Sequence, residues 1–162
     1  KDNNMTLGYP MQLGSGTADL RPSYTHVAYF TNFSIGSQIN TVIRLGKNSA
    51  GYRLGNEISS SVWISKLWAS SWSSSLGLNF KGTQKISGSH NDIAMAMNAT
   101  QAETNSGGKK LNLSIGTNYL FSTETLKGTR LAVDWAFPVY QDVTGYQMNN
   151  NSTLTFGIQK AY

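Results

Sequence analysis

A chain of 162 residues is long enough for one domain with an ordinary core, yet only 39% of it is hydrophobic. No run approaches the roughly 20 apolar residues of a membrane helix, and the absence of cysteine excludes disulfides, thiolate metal sites and cysteine nucleophiles. The net charge of +5 is spread thinly, with Lys and Arg adjacent only at Lys109-Lys110, which argues against nucleic acid because that ligand calls for a clustered basic face.

Hydropathy leaves one membrane architecture open, a β-barrel, because the lumen-facing half of each barrel strand is polar. The chain opens on Lys1-Asp2-Asn3-Asn4, which reads as a processed or truncated start without a signal peptide. Residues 1–17 are rich in turn formers and read as a loop. A first strand is expected over 18–29, with Leu20, Tyr24 and Ala28 on one parity and Asp19, Arg21, Ser23 and Thr25 on the other. His26 falls on the apolar parity near an end. A second strand over 33–45 sets Phe33, Ile35, Ile39, Ile43 and Leu45 against Ser34, Gly36, Gln38, Asn40 and Arg44. A third over 52–68 sets Ile58, Val62, Ile64 and Trp68 against Glu57, Ser59, Ser61 and Ser65, with Trp63 on the polar side as a blemish.

The fourth strand, 72–86, sets Trp72, Leu76, Leu78 and Phe80 against Ser75, Gly77, Asn79 and Lys81. A long polar insertion over 87–109 follows, too unpatterned for an ordinary hairpin. The fifth, 110–121, has Leu111, Leu113, Ile115, Tyr119 and Phe121 against Asn112, Ser114, Gly116 and Asn118. The sixth, 129–141, has Leu131, Val133, Trp135, Phe137 and Val139 against Arg130, Ala132, Asp134 and Ala136. After a loop over 142–151, the last segment puts Leu154, Phe156, Ile158 and Tyr162 on one parity and Thr153, Thr155, Gly157, Gln159 and Ala161 on the other.

Seven alternating segments with no helix between them predict an all-β, antiparallel, up-and-down transmembrane barrel in a single domain. A soluble sandwich also alternates, but it would not set Trp and Tyr near strand ends (Trp68, Trp72, Tyr119) against a second face of Ser, Thr, Asn and Gly. Connection lengths alternate between short and long, so 1–17, 87–109 and 142–151 are expected outside the cell and 122–128 in the periplasm. Seven strands are an odd number for a bacterial single-chain barrel, so either residues 1–10 hide an eighth strand or further strands lie upstream, and the poor alternation and proline of 1–10 favour the latter. On this reading Ile39, Val62, Leu78, Ile115, Val133, Trp135 and Phe156 face lipid, and Asp19, Arg21, Arg44, Glu57, Lys81, Arg130 and Asp134 line the lumen. Arg44 and Glu57 come close where the second strand ends and the third begins.

The blocks Tyr9-Pro-Met-Gln-Leu-Gly-Ser-Gly-Thr17, Gly51-Tyr-Arg-Leu-Gly55, Leu126-Lys-Gly-Thr-Arg-Leu-Ala-Val133 and Pro138-Val-Tyr-Gln-Asp142 carry a family resemblance. With the closing Leu154-Thr-Phe-Gly-Ile-Gln-Lys-Ala-Tyr162, they resemble the C-terminal half of the phenol-degradation meta-pathway outer-membrane protein family, whose members are described as transporters. The resemblance runs along nearly the whole chain. It departs at Lys160, where the family places an aromatic, and at Tyr146-Gln-Met148, which replaces a Gly-Pro-Gln-like loop. It implies a longer barrel in the bacterial outer membrane that passes small, aromatic or hydrophobic solutes. Its partners would be outer-membrane lipid, the barrel-assembly machinery and an unidentified solute, with no nucleic acid and no cofactor. The alternative is a non-conducting structural or surface-binding barrel that displays the extracellular loops 87–109 and 142–151, with a metal-related role as one form of it.

No catalytic set emerges. The serines lack a neighbouring His and acid for a triad, and no Gly-rich turn opens a helix, so a non-enzyme is expected. His90, Asp92, Met95 and Met97 are weak copper-type candidates, since imidazole and thioether suit that ion, against the plainer reading of a polar loop.

Overall fold

The computed structural model describes residues 8–90 and 102–160. Eight antiparallel strands form one sheet: β1 Ala18–Leu20, β2 Ser23–Tyr29, β3 Phe33–Leu45, β4 Glu57–Ala69, β5 Trp72–Thr83, β6 Gly108–Leu120, β7 Thr129–Val143 and β8 Thr153–Lys160. From β3 onward each strand pairs with the next, and β1 and β2 both lie along the free edge of β3. The up-and-down order follows from the connections, because antiparallel neighbours can be joined by short turns whereas parallel ones need a crossover. No ladder among the described residues joins β8 to β1 or β2.

The strand expected over 18–29 is split at Arg21-Pro22, since proline has no N–H for a ladder and locks its own φ. Its carbonyl still works: Thr41 N–H donates to Pro22 O at 3.0 Å. Both pieces stay in one lane, with Asp19 opposite Arg44 and Ser23 opposite Asn40. His26 is not near an end but in the middle of β2, opposite Ser37 and exposed.

The third strand starts at Glu57 rather than at 52. Tyr52 to Asn56 instead join the loop, where Arg53 exchanges backbone hydrogen bonds with Ser87 at 2.8 and 2.9 Å. Gly55 passes so near Gln84 that a Cβ there would stand 1.8 Å from its carbonyl oxygen. That contact ends β5 at Thr83, short of the expected 86. β7 runs on to Val143 by means of a bulge: Asn112 pairs with Pro138 and Leu111 with Tyr140, leaving Val139 extra. The bulge sits beside the proline that cannot donate. Past it, Tyr140 takes the apolar face with Leu111, so the alternation expected through Val139 stops there.

Connections 30–32, 70–71 and 121–128 share one end of the sheet, and 46–56, 84–107 and 144–152 share the other. The segment before β1 also lies at the long-loop end, because Ala18 pairs with Leu45 at the end of β3.

The two faces are sharply different. One cross-strand row reads Ala28, Ile35, Ile64, Leu76, Ile115, Trp135 and Leu154, and its large members are all exposed. The next row, on the other face, reads Val27, Gly36, Trp63, Gly77, Ser114, Ala136 and Thr153. Gly36, Gly77 and Gly116 on that face are buried, although their apolar neighbours Ile35, Leu76 and Ile115 are open. Small residues confined to one face let a twisted sheet bend toward it. The polar face is therefore the enclosed one, the reverse of a soluble sheet.

Trp63 belongs to this pattern. Its ring lies across Gly36 on the neighbouring strand, where a Cβ would come within 2.1 Å of the indole. The sequence places an aromatic on the polar face because the facing residue has no side chain.

At the short-turn end the apolar face carries aromatics. Phe30 and Phe33 stack at 4.4 Å, Trp68 and Trp72 at 6.0 Å, and Tyr119 meets Phe121 edge-on at 5.1 Å. Trp68 Nε1–H donates to Ser74 Oγ at 2.7 Å and Trp72 Nε1–H to Thr117 Oγ1 at 2.9 Å. Each indole thus keeps a partner for its one polar atom. Lys66 holds its ammonium 4.1 Å from the Trp68 ring centre.

Candidate functional site

At the long-loop end of the polar face, four strands contribute charges that touch in series. Asp19 on β1 accepts hydrogen bonds from Ser15 Oγ at 2.9 Å and Thr17 Oγ1 at 2.8 Å. Arg44 on β3 donates from Nη1 to the same carboxylate and from Nη2 to Glu57 Oε1 on β4 at 3.1 Å. Lys81 on β5 reaches Glu57 Oε2 at 2.8 Å. Arg21, in the gap between β1 and β2, stands 3.8 Å from Asp19. The ladder follows from register: Asp19 is directly opposite Arg44, and Lys81 sits opposite Ser59, one pleat along from Glu57.

Arg44 is the keystone. It is 8% exposed, the one buried charged residue among the described residues. Burying a guanidinium is tolerable only with carboxylates on both sides. The Arg44 main chain is held as well, its N–H donating to Asn56 Oδ1 at 2.9 Å. Nε of Arg44 has no hydrogen-bond partner.

Above this ladder the segment before β1 folds back as a strap over the long-loop end of the sheet. Tyr9, in a single 3-10 turn over Tyr9–Met11, packs edge-on against Tyr52 at 4.9 Å, and Tyr52 is only 3% exposed. His90 N–H donates to Tyr9 Oη at 2.9 Å. Ala50, Leu54 and Ile86 pack around this pair, which forms the hydrophobic core of the described residues. Aliphatic and aromatic groups thus gather at the long-loop end, away from the middle of the sheet.

Under the strap lies a cavity of about 600 Å³, bounded by Tyr9, Met11, Leu54, Ile86 and Met148 and floored by Glu57 and Thr83. A smaller one of about 220 Å³ adjoins it, with Lys81 and Lys110 in its wall. Thr83, Gly107 and Gln147 border both, so the two spaces are neighbours. Gln147 is fixed there by its Nε2, which donates to Gly107 O at 2.6 Å and Thr144 O at 2.8 Å.

Of the charged residues expected on one face, Asp19, Arg21, Arg44, Glu57 and Lys81 come together in the ladder. Arg130 and Asp134 share the face, pairing with Gln159 and Thr155 respectively, but stand toward the short-turn end with no ion pair among the described residues. Ile39, Val62, Leu78, Ile115, Trp135 and Phe156 are exposed on the apolar face, and Val133 is half-buried there. His90 is near Tyr52, with ring centres 6.1 Å apart, whereas Asp92, Met95 and Met97 lie outside the described residues.

Lys110, Tyr9 and Tyr52 are site residues that sequence reasoning did not single out. Lys110 was legible, since it shares parity with Asn112. The two tyrosines were not, because loop residues carry no periodicity. Comparison with protein-family models, curated protein sequences and solved structures finds no match to this chain.

Proposed function

We propose that this chain forms, with further strands, a β-barrel of the bacterial outer membrane whose enclosed polar face is the wall of a lumen. Small solutes, aromatic or hydrophobic ones included, enter at the long-loop end. The reading assigns passage rather than catalysis. The observation that carries it is the inversion of the sheet: a full row of large apolar side chains is exposed while Arg44, Gly36, Gly77 and Gly116 are buried on the other face. In water such a surface would aggregate, whereas in lipid it is the favourable arrangement. The aromatic cluster at the short-turn end supports the same view, since Trp and Tyr rings with one satisfied polar atom suit the headgroup level. The resemblance to outer-membrane transporters agrees with it.

A second reading draws on the ladder. Asp19, Arg44, Glu57 and Lys81, with the Tyr9 strap above them, narrow the mouth, and a barrel plugged there would display its loops without conducting. Planar-bilayer conductance of the full-length protein separates the two. Stable current steps are expected, and a folded, inserted barrel with no current would overturn the channel.

A further inference from the structure

The geometry points to an organic anion site at the mouth, built for a small carboxylate with an apolar body. This deepens the channel reading, resting on the polar face being reachable by solute. Lys81 and Lys110 are directly opposite each other across β5 and β6. That pairing holds their Cβ atoms about 4.5–5.5 Å apart, and like charges so placed repel. Lys81 has Glu57 at 2.8 Å, but Lys110 has no carboxylate within ion-pair range among the described residues. Arg21 lies at the far, Asp19 end of the ladder and is 68% exposed to solvent, whereas the inner charges cancel in pairs, Asp19 with Arg44 and Glu57 with Lys81, which leaves the Lys110 ammonium in excess beside Lys81.

A single negative charge is what that excess calls for, and both lysines border the space that would hold it. The adjoining larger cavity supplies the rest of the ligand's surroundings. Its wall of Tyr9, Met11, Leu54, Ile86 and Met148 suits a ring or short alkyl chain. Between the two, Thr83 and Gln147 border both spaces, and the Gln147 amide nitrogen is already committed to backbone carbonyls. A ligand spanning the spaces would place its carboxylate between the lysines and its apolar part under the strap. Neither half suffices alone: a bare small anion leaves the apolar wall unused, and a neutral aromatic leaves the lysines repelling.

The test is titration calorimetry on the full-length protein in detergent micelles, with benzoate, benzyl alcohol and acetate as probes. Benzoate is expected to bind at least about tenfold tighter than benzyl alcohol, the size of one charge-assisted contact, and at least about tenfold tighter than acetate, through burial of its ring. Lys110→Gln should remove that preference and Lys110→Arg should keep it. Benzyl alcohol binding as well as benzoate would overturn the charge requirement, and acetate doing so would overturn the apolar one. No benzoate binding at all, or equal binding by Lys110→Gln, would sink the site. The comparison among the three probes on the wild type needs no variant to fold. Conductance fails separately: a protein that prefers benzoate but passes no current loses the channel and keeps this site, and one that conducts without the preference does the reverse.

Discussion

Replacing Arg44 with alanine removes the group that ties β1 to β4 across β3. In the intact ladder its side chain is 7% exposed, and it faces Asp19, at 8%, and Glu57, at 26%. Taking away one partner of a buried ion pair costs about 3–5 kcal/mol, since the remaining charge is left without compensation. Here the loss sits at the low end, about 3 kcal/mol, because neither carboxylate is stranded. Ser15 and Thr17 still donate to Asp19, and Lys81 still reaches Glu57 at 2.8 Å. Arg130→Ala is the comparison. That side chain shares the face but is exposed and has no ion pair among the described residues, so its removal should stay within about 0.5 kcal/mol. Guanidinium unfolding of the full-length protein in lipid vesicles, followed by tryptophan emission, reads both. Equal shifts for the two variants would refute the ladder as a source of stability. On the proposed channel reading, Arg44→Ala should also move ion selectivity in bilayers toward cations, because it removes a fixed positive charge from the wall of the lumen.

Ile115 lies in the central apolar row, so Ile115→Arg should cost about 2–4 kcal/mol in a bilayer and abolish heat-resistant migration on gels, while Asp134→Arg leaves it; equal tolerance of both would reject the assigned faces. Gly36→Ala should destabilise by about 1–3 kcal/mol through the Trp63 ring, and adding Trp63→Ala should relieve much of that clash. Purely additive losses in the double mutant would show that the ring does not occupy the glycine. A cysteine at Asn149 should react with an impermeant thiol reagent on intact cells and one at Thr125 should not, since the two lie at opposite ends of the sheet. Labelling of the Thr125 variant alone would invert the proposed orientation.

Strand order and facing were legible in the sequence because both are local. Period-two alternation puts Ile115 and Ser114 on opposite faces whatever else the chain does, and short turns leave antiparallel neighbours as the simple outcome. The same parity placed Arg44 and Glu57 on one face at one end, and the structure joins them at 3.1 Å. What alternation could not carry was anything that departs from it. Pro22 and Pro138 break or bulge their strands according to where each missing N–H meets the ladder, and that depends on register with a neighbour. Trp63 breaks the alternation of its own strand and is accommodated by Gly36 opposite it, a match between residues far apart in the chain. The pairing of Lys81 with Lys110 and the packing of Tyr9 on Tyr52 are of the same kind. Each segment's own residues determined which side chains face which way. Only the tertiary structure decided which of them meet, because cross-strand register and loop packing are set by partners distant in sequence.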